Sequence, residues 1–192
     1  MNTAEGLAAS YVLDAAKSRF VVRATASGLL SAFGHNPTIA IRNFTGEAWF
    51  RPQAPEQSSL QFKIDAGALA VTGDVNDKDR REMERAMRED VLETGRYTEI
   101  EFTSSGIQAS KITEGMYRMK ISGKLTMHGV TRDLELPCNM NVSEETLRAN
   151  GDFTIRQTDY GMRLVSVAGG TLKLKDELKF TFDIVAHRRP QG

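Results

Sequence analysis

The sequence predicts an all-β domain, an antiparallel barrel or sandwich with a single surface α-helix. About eight or nine segments alternate apolar and polar residues with a period of two, which is typical of strands that have one buried face. Only the stretch 74–92 departs from this pattern, and most connections are short, which favours an up-and-down strand order. The 192 residues fit one domain over 1–192, with 1–10 as a flexible lead-in and 187–192 as a tail.

The segment 116–137 is the clearest hairpin in the chain. Its first strand has apolar side chains at alternate positions, and the intervening positions are polar. These apolar positions are Tyr117, Met119, Ile121, Leu125 and Met127. Gly123 falls on the same face, and His128-Gly129 predicts a tight turn because glycine accepts a positive φ.

The remaining strands are predicted from the same alternation. Before the helix they are 11–14, 18–26, 38–44, 47–51 and 60–65, and after the helix they are 99–103, 134–142, 147–156, 172–174 and 179–184. A turn is predicted at 15–17, loops at 27–37 and 52–58, and a kink or turn at 43–46.

The predicted helix, 74–92, is mostly charged and has one narrow apolar stripe. Met83, Ala86, Met87 and Val91 form this stripe at helical spacing. We expect Thr72 or Asp74 to cap the helix. Such a helix covers an edge or an opening, so the sequence predicts a structural lid.

Composition excludes several function classes. The 25 basic and 25 acidic residues give zero net charge, which argues against nucleic-acid binding. No apolar run is long enough to span a membrane as a helix. Residues 1–10 carry no secretory signal, so we expect a cytoplasmic protein. The single cysteine, Cys138, alternates with other apolar residues and is predicted to be a buried, inert thiol.

Four stretches of the chain carry a resemblance to a known family. They are 11–20, 44–47, 91–102 and the pair 123–131 with 153–161, whose letters are GKLTMHGVT and FTIRQTDYG. Over about 11–186 the sequence resembles the YceI-like proteins. The resemblance implies an extended lipocalin-like antiparallel β-barrel whose apolar tunnel is associated with polyisoprenoid chains, quinone-like tails and other long-chain lipids. Many members are exported to the periplasm, and this sequence departs from them because no signal is visible. It also departs in the loop 33–37 and at Thr98, where the family commonly has proline.

A barrel of about eight strands is either filled by side chains or holds one small ligand. Small residues on the inner face permit a cavity here: Ala24, Ala48, Gly123, Ala149 and Gly151. Our first hypothesis is a non-enzymatic carrier or sequestering protein, without cofactor, whose only bound molecule is an isoprenoid, quinone or fatty-acid-like lipid. The residues predicted to line the ligand site are Phe20, Val22, Ile41, Phe50, Phe62, Ile64, Phe102, Met119, Ile121, Phe153, Ile155, Phe180 and Phe182.

Two polar residues are candidates for the ligand headgroup. His35 lies in a Gly-His-Asn-Pro loop that suits a barrel mouth, although loop geometry explains the same residues equally well. Arg156 suits an anionic or carbonyl headgroup, and the competing interpretation is an ion pair with Asp159 that closes a loop. The histidines His35, His128 and His187 lack the spacing of a metal site.

Two further hypotheses remain open from the sequence. One is an enzyme that transforms a small hydrophobic substrate with His35 or Asp159 as base, which requires a titratable group that faces the tunnel with a shifted pKa. The other is a structural barrel with a filled interior that forms a homodimer, for which the outward-facing Trp49 is the best indication.

Overall fold

The computed structural model describes residues 8–27, 38–164, 166–167 and 172–190. The strands are β1 (Ala9–Ser27), β2 (Thr38–Ala40), β3 (Phe44–Phe50), β4 (Ser59–Asp65), β5 (Ala70–Thr72), β6 (Glu99–Thr113), β7 (Met116–Met127), β8 (Val130–Val142), β9 (Thr146–Arg156), β10 (Ser166–Val167) and β11 (Leu172–Arg188). One α-helix, α1 (Asp77–Ala86), lies between β5 and β6 and continues as a π-helical segment, Met87–Val91. His35 and most of the predicted loop 27–37 lie outside the described residues, as do residues 1–7.

Eight strands close into an antiparallel barrel. Their order around the wall is β1, β3, β4, β6, β7, β8, β9 and β11, and β11 pairs again with β1. Neighbours in this ring follow one another in sequence, so the predicted all-β barrel with an up-and-down order is confirmed. The short strands β2 and β5 extend the wall beyond the carboxyl half of β1, and β10 pairs with β11.

The first strand differs from the prediction because the expected turn at 15–17 is a bulge. The carboxylate oxygen Oδ1 of Asp14 accepts the backbone N–H groups of Ala16 and Lys17 at 3.0 and 3.1 Å. The extra residues shift the register with β11 between Asp14 and Arg19 without ending the strand. The two predicted strands are therefore one continuous strand.

The helix is present, but it begins later than predicted and has a different cap. Asn76, rather than Thr72 or Asp74, precedes α1, and its side-chain oxygen accepts the backbone N–H of Asp79 at 2.9 Å. Glu84 on the helix accepts the backbone N–H of Val71 at 2.9 Å, which ties α1 to β5. The helix is thereby fixed over one end of the barrel, as predicted for a lid.

Two other predicted boundaries are wrong. The strand predicted over 38–44 stops at Ala40, and the next strand begins at Phe44 after an irregular stretch. The expected tail from His187 onward is part of β11 up to Arg188, because His187 and Arg188 pair with β1.

The predicted hairpin is confirmed as β7 and β8. Its turn has positive φ at both His128 (52°) and Gly129 (73°). Odd-numbered residues of β7 face the interior, as the alternation predicts. The inward glycines, however, do not leave free space. An added Cβ at Gly123 would lie 2.4 Å from the ring of Phe102, and one at Gly151 would lie 2.9 Å from the ring of Phe182. Aromatic rings from the neighbouring strands fill these positions.

Candidate functional site

The barrel interior contains an apolar cavity beneath α1, which we call the helix-side chamber. Its volume is about 150 Å³. Strand residues form its walls, and the apolar stripe of the helix forms its roof. The walls include Val22, Ala24, Ile41, Ile64, Leu125 and Phe180, and the roof is Met83, Ala86, Met87 and Val91. The apolar stripe from which the sequence predicted the helix therefore covers a cavity in the barrel.

A second apolar cavity occupies the opposite half of the barrel, and we call it the tryptophan-side chamber. Its volume is about 90 Å³. The wall includes Leu13, Phe50, Met119, Leu136, Met140 and Ala149. Trp49, Ser58 and Ser59 also line it, and Trp49 is 46% exposed. This chamber thus reaches the surface beside the β3–β4 connection, where Trp49 pairs with Ser59.

An aromatic constriction separates the two chambers. Phe62 and Phe153 line both of them. The ring of Phe20 stands 6.4 Å from that of Phe62 and 6.5 Å from that of Phe153, measured between centroids. Phe180 stacks on Phe153 at 4.6 Å. A chain that occupies both chambers must pass between these rings, so the rings have to move when it enters.

Most residues predicted to line a ligand site border one of the chambers. On the tryptophan side these are Phe20, Phe50, Met119, Ile121 and Phe182; on the helix side they are Val22, Ile41, Ile64 and Phe180; Phe62 and Phe153 border both. Phe102 and Ile155 are buried in the core but border neither chamber. The role of all these residues in binding stays a prediction.

The chamber walls carry no charge within the part of the chain that the structure describes. Their polar side chains are Gln157 on the helix side and Ser58 and Ser59 on the tryptophan side. Cys138 also lines the tryptophan-side chamber, and burial raises the pKa of its thiol to about 12. The thiol therefore stays protonated and unreactive at neutral pH. Such walls suit an apolar guest and offer no general base.

The predicted headgroup residues do not meet in the described cavity walls. Arg156 is exposed on the outer face of β9. Hydrogen bonds from Thr158 lower the pKa of Asp176, and the charge of Arg156 lowers it further. Within the described residues Arg156 does not form the alternative ion pair with Asp159. Asp159 is exposed, and its backbone carbonyl accepts a hydrogen bond from Arg132 Nε at 2.9 Å.

Gln157 is the polar wall residue that the sequence analysis missed. It is only 4% exposed, and its Nε2 donates to the carbonyl oxygen of Lys175 at 3.0 Å. The signal was present, because Phe153, Ile155 and Gln157 continue the inward alternation of β9 by one more step. The charge of the neighbouring Arg156 made that residue the candidate for the headgroup, but its side chain lies on the outer face of the barrel.

The two described histidines lie outside the chambers. His187 pairs with Asp14 at 3.0 Å, and His128 is held in the β7–β8 turn. Among the residues with described positions, no group of three metal-ligating side chains comes together. The enzyme hypothesis with Asp159 as base lacks its geometric requirement, since that carboxylate faces solvent and not the tunnel.

Comparison with known proteins agrees with this architecture. The family model for the YceI-like domain matches residues 11–186. The chain belongs to the YceI-like family. A curated relative from Pseudomonas savastanoi pv. phaseolicola, a UPF0312 protein, is 24% identical over 180 residues, which cover 91% of this chain and 87% of the relative.

Solved structures show the same YceI-like barrel at low sequence identity. Burkholderia cenocepacia BcnA aligns with a TM-score of 0.67 at 20% identity, over 90% of this chain and 98% of that protein. A polyisoprenoid-binding domain from Saccharophagus degradans, implicated in plant cell wall breakdown, aligns with a TM-score of 0.64 at 16% identity, over 94% and 99%. The Campylobacter jejuni YceI protein gives 0.58 at 15%, over 79% and 85%. At these identities the likeness shows the fold.

In this YceI-like barrel, the two halves of the most specific sequence motif meet beside the helix-side chamber. His128 Nε2 donates to the Glu93 carboxylate at 2.8 Å, and its Nδ1 lies 3.1 Å from the carbonyl oxygen of Tyr160. The ring of Tyr97 packs 4.5 Å from the imidazole. We call these contacts the roof latch, because Glu93 lies two residues after the end of the helical segment at Val91. No helix among the described residues is long and apolar enough to cross a membrane.

Proposed function

We propose that this protein binds a long apolar chain, such as a polyisoprenoid, a quinone tail or an acyl chain, and carries or sequesters it without chemical change. The observation that carries the proposal is the pair of apolar chambers inside the barrel, whose described walls contain no charged side chain. Apolar cavities of about 150 Å³ stay dry and accept a benzene-sized guest. The polyisoprenoid-binding domain from Saccharophagus degradans has the same fold, which supports the same class of ligand.

Burial of the chain supplies the binding energy in this proposal. Each methylene moved from water into an apolar site contributes about 0.8 kcal/mol. Roughly ten buried methylenes contribute about 8 kcal/mol before the cost of ordering the chain, and micromolar affinity corresponds to about the same free energy. Few polar contacts are needed, which agrees with the composition of the walls. The chambers as they stand hold short segments, so a longer chain requires rings of the aromatic constriction to swing aside.

The first experiment is organic extraction of the purified, untreated protein followed by mass spectrometry. A prenyl or acyl compound in stoichiometric amount is the expected result. Absence of any lipid, together with failure to bind an added fluorescent apolar reporter, would contradict the proposal.

A pair of variants separates specific binding in the barrel from adhesion to its surface. Phe153→Arg places a charge at the wall shared by both chambers, whereas Thr154→Arg places the same charge on the exposed face one residue later. We expect the first to abolish lipid retention and the second to leave it unchanged. Ala24→Phe, which fills the helix-side chamber with an uncharged ring, covers the case in which Phe153→Arg fails to fold.

A further inference from the structure

The helix-side chamber has one polar side chain in its described wall, that of Gln157. It is also the one buried polar residue of the described chain. Gln157 follows β9 at the start of a 3₁₀ turn, Gln157–Tyr160, and its Nε2 donates to the Lys175 carbonyl in β11 at 3.0 Å. A primary amide has a second N–H and a carbonyl oxygen beyond that bond. The hydrogen bond to β11 therefore fixes the amide at the wall of the chamber.

The described wall of the chamber offers no cation to place beside this amide. No lysine, arginine or histidine lines the described wall. The nearest basic side chains along the chain, Arg156 and Lys175, are exposed. A carboxylate or phosphate drawn into this chamber would thus be buried without an ionic partner in the described wall, which is strongly unfavourable.

We infer that the headgroup bound in the helix-side chamber is uncharged, a hydroxyl or carbonyl oxygen that hydrogen-bonds the Gln157 amide. This inference rests on the proposed function, since it names the chemical class of the same ligand. The apolar chain then runs away from α1 towards the constriction at Phe62 and Phe153. Anionic lipids such as fatty acids and prenyl phosphates are selected against, because their charge has no partner in the described wall.

The competing explanation gives Gln157 a purely structural role, which is to join β9 to β11 through the Lys175 carbonyl. The two roles differ in one measurable respect. A structural residue affects every guest alike, whereas a headgroup residue affects only guests that carry a headgroup. A set of probes with one chain and different ends therefore distinguishes them.

The probes are farnesol, farnesyl monophosphate and the headless hydrocarbon farnesane, each measured by displacement of a fluorescent apolar reporter. The wild-type protein should bind farnesol at least 10-fold more tightly than farnesyl monophosphate. Gln157→Met should weaken farnesol binding roughly 3- to 10-fold, which corresponds to one net hydrogen bond, and should leave farnesane binding unchanged. Arg156→Met, the adjacent change on the outer face, should alter none of the three.

Equal or tighter binding of the monophosphate by the wild type overturns the inference, and this comparison needs no variant to fold. A Gln157→Met protein that binds farnesol and farnesane with equally reduced affinity also overturns it and leaves the structural role. Loss of monophosphate binding in Arg156→Met would assign the headgroup to the outer arginine. If the wild type binds none of the probes and not even the reporter, the proposed function itself fails, which is a different outcome from misassigned headgroup chemistry.

Discussion

Phe20 offers the strongest test of the interior packing. Its ring is 7% exposed and lies within 6.1 to 6.5 Å of five other phenylalanine rings. Replacing a buried phenylalanine with alanine typically costs about 3–5 kcal/mol, and the cost is larger where the site cannot collapse. Ladder hydrogen bonds with β11 fix the backbone of Phe20, so the wall cannot close around the lost ring. We therefore expect Phe20→Ala to lose about 4–5 kcal/mol of unfolding free energy.

Urea denaturation of the lipid-free protein measures this loss. Ile112→Ala serves as the control, because that side chain is 55% exposed and its change should stay within about 0.5 kcal/mol. Phe20→Leu, which removes less volume, should fall between the two and remains measurable if the alanine variant unfolds. A loss below about 1.5 kcal/mol for Phe20→Ala would refute the packing described here.

The same variant also probes the proposed ligand site. Removal of the Phe20 ring opens the aromatic constriction and joins the two chambers. Binding of a long apolar chain should then recover part of the lost stability, since a ligand of the native state stabilises it in proportion to the logarithm of its concentration. A stability gain from the ligand that is no greater than that of the wild type would contradict the chamber geometry.

Three further predictions concern other parts of the barrel. Native Cys138 should resist iodoacetamide at pH 8, because burial raises its thiol pKa to about 12, and should react once urea unfolds the chain; modification of the native protein at the unfolded rate would contradict this. The hydrogen bond from the Arg148 guanidinium lowers the pKa of Asp183, so the ionised carboxylate stabilises the fold at pH values above 3.8, the ordinary pKa of an aspartate, and this stabilisation is lost as the pH falls through the lowered pKa. The stability advantage of the wild type over Asp183→Asn should therefore shrink as the pH falls, and a difference that does not change with pH would contradict this. Gly123→Ala should cost about 1–3 kcal/mol through overpacking, whereas Gly106→Ala, whose added Cβ meets nothing within 4 Å, should cost much less; equal melting shifts would contradict this.

The strand pattern of this protein was largely predictable because burial on one face imposes a strict period of two. The hairpin of β7 and β8 follows directly from that rule. The bulge near Asp14 did not, because its side chain captures two backbone N–H groups while pairing with β11 keeps the strand intact. The local sequence favours a turn here, but pairing with a strand more than 160 residues away keeps the segment extended.

The site was predictable as a set of inward-facing positions but not as a shape. Alternation identifies which side chains face inward, and most of those predicted do border a chamber. Whether a small residue leaves space depends on what stands opposite, which is decided by strand register. Ala24 and Ala149 border open chambers, whereas Gly123 and Gly151 are covered by rings from adjacent strands. All four are small inward-facing residues, and nothing in the sequence shows which of them border open space and which are covered.

The His128-Gly129 turn within the most specific motif has a structural explanation that does not involve the ligand. Gly129 has positive φ, and an added Cβ would lie 2.6 Å from the ring of Tyr97. In the roof latch, His128 joins Glu93 to the 3₁₀ turn that begins at Gln157, and this fastens the roof of the helix-side chamber. These contacts thus hold the end of the helical segment against the barrel beside the helix-side chamber. In our proposal the choice of guest depends on wall residues that take no part in the roof latch, and Gln157 is the one whose amide discriminates between headgroups.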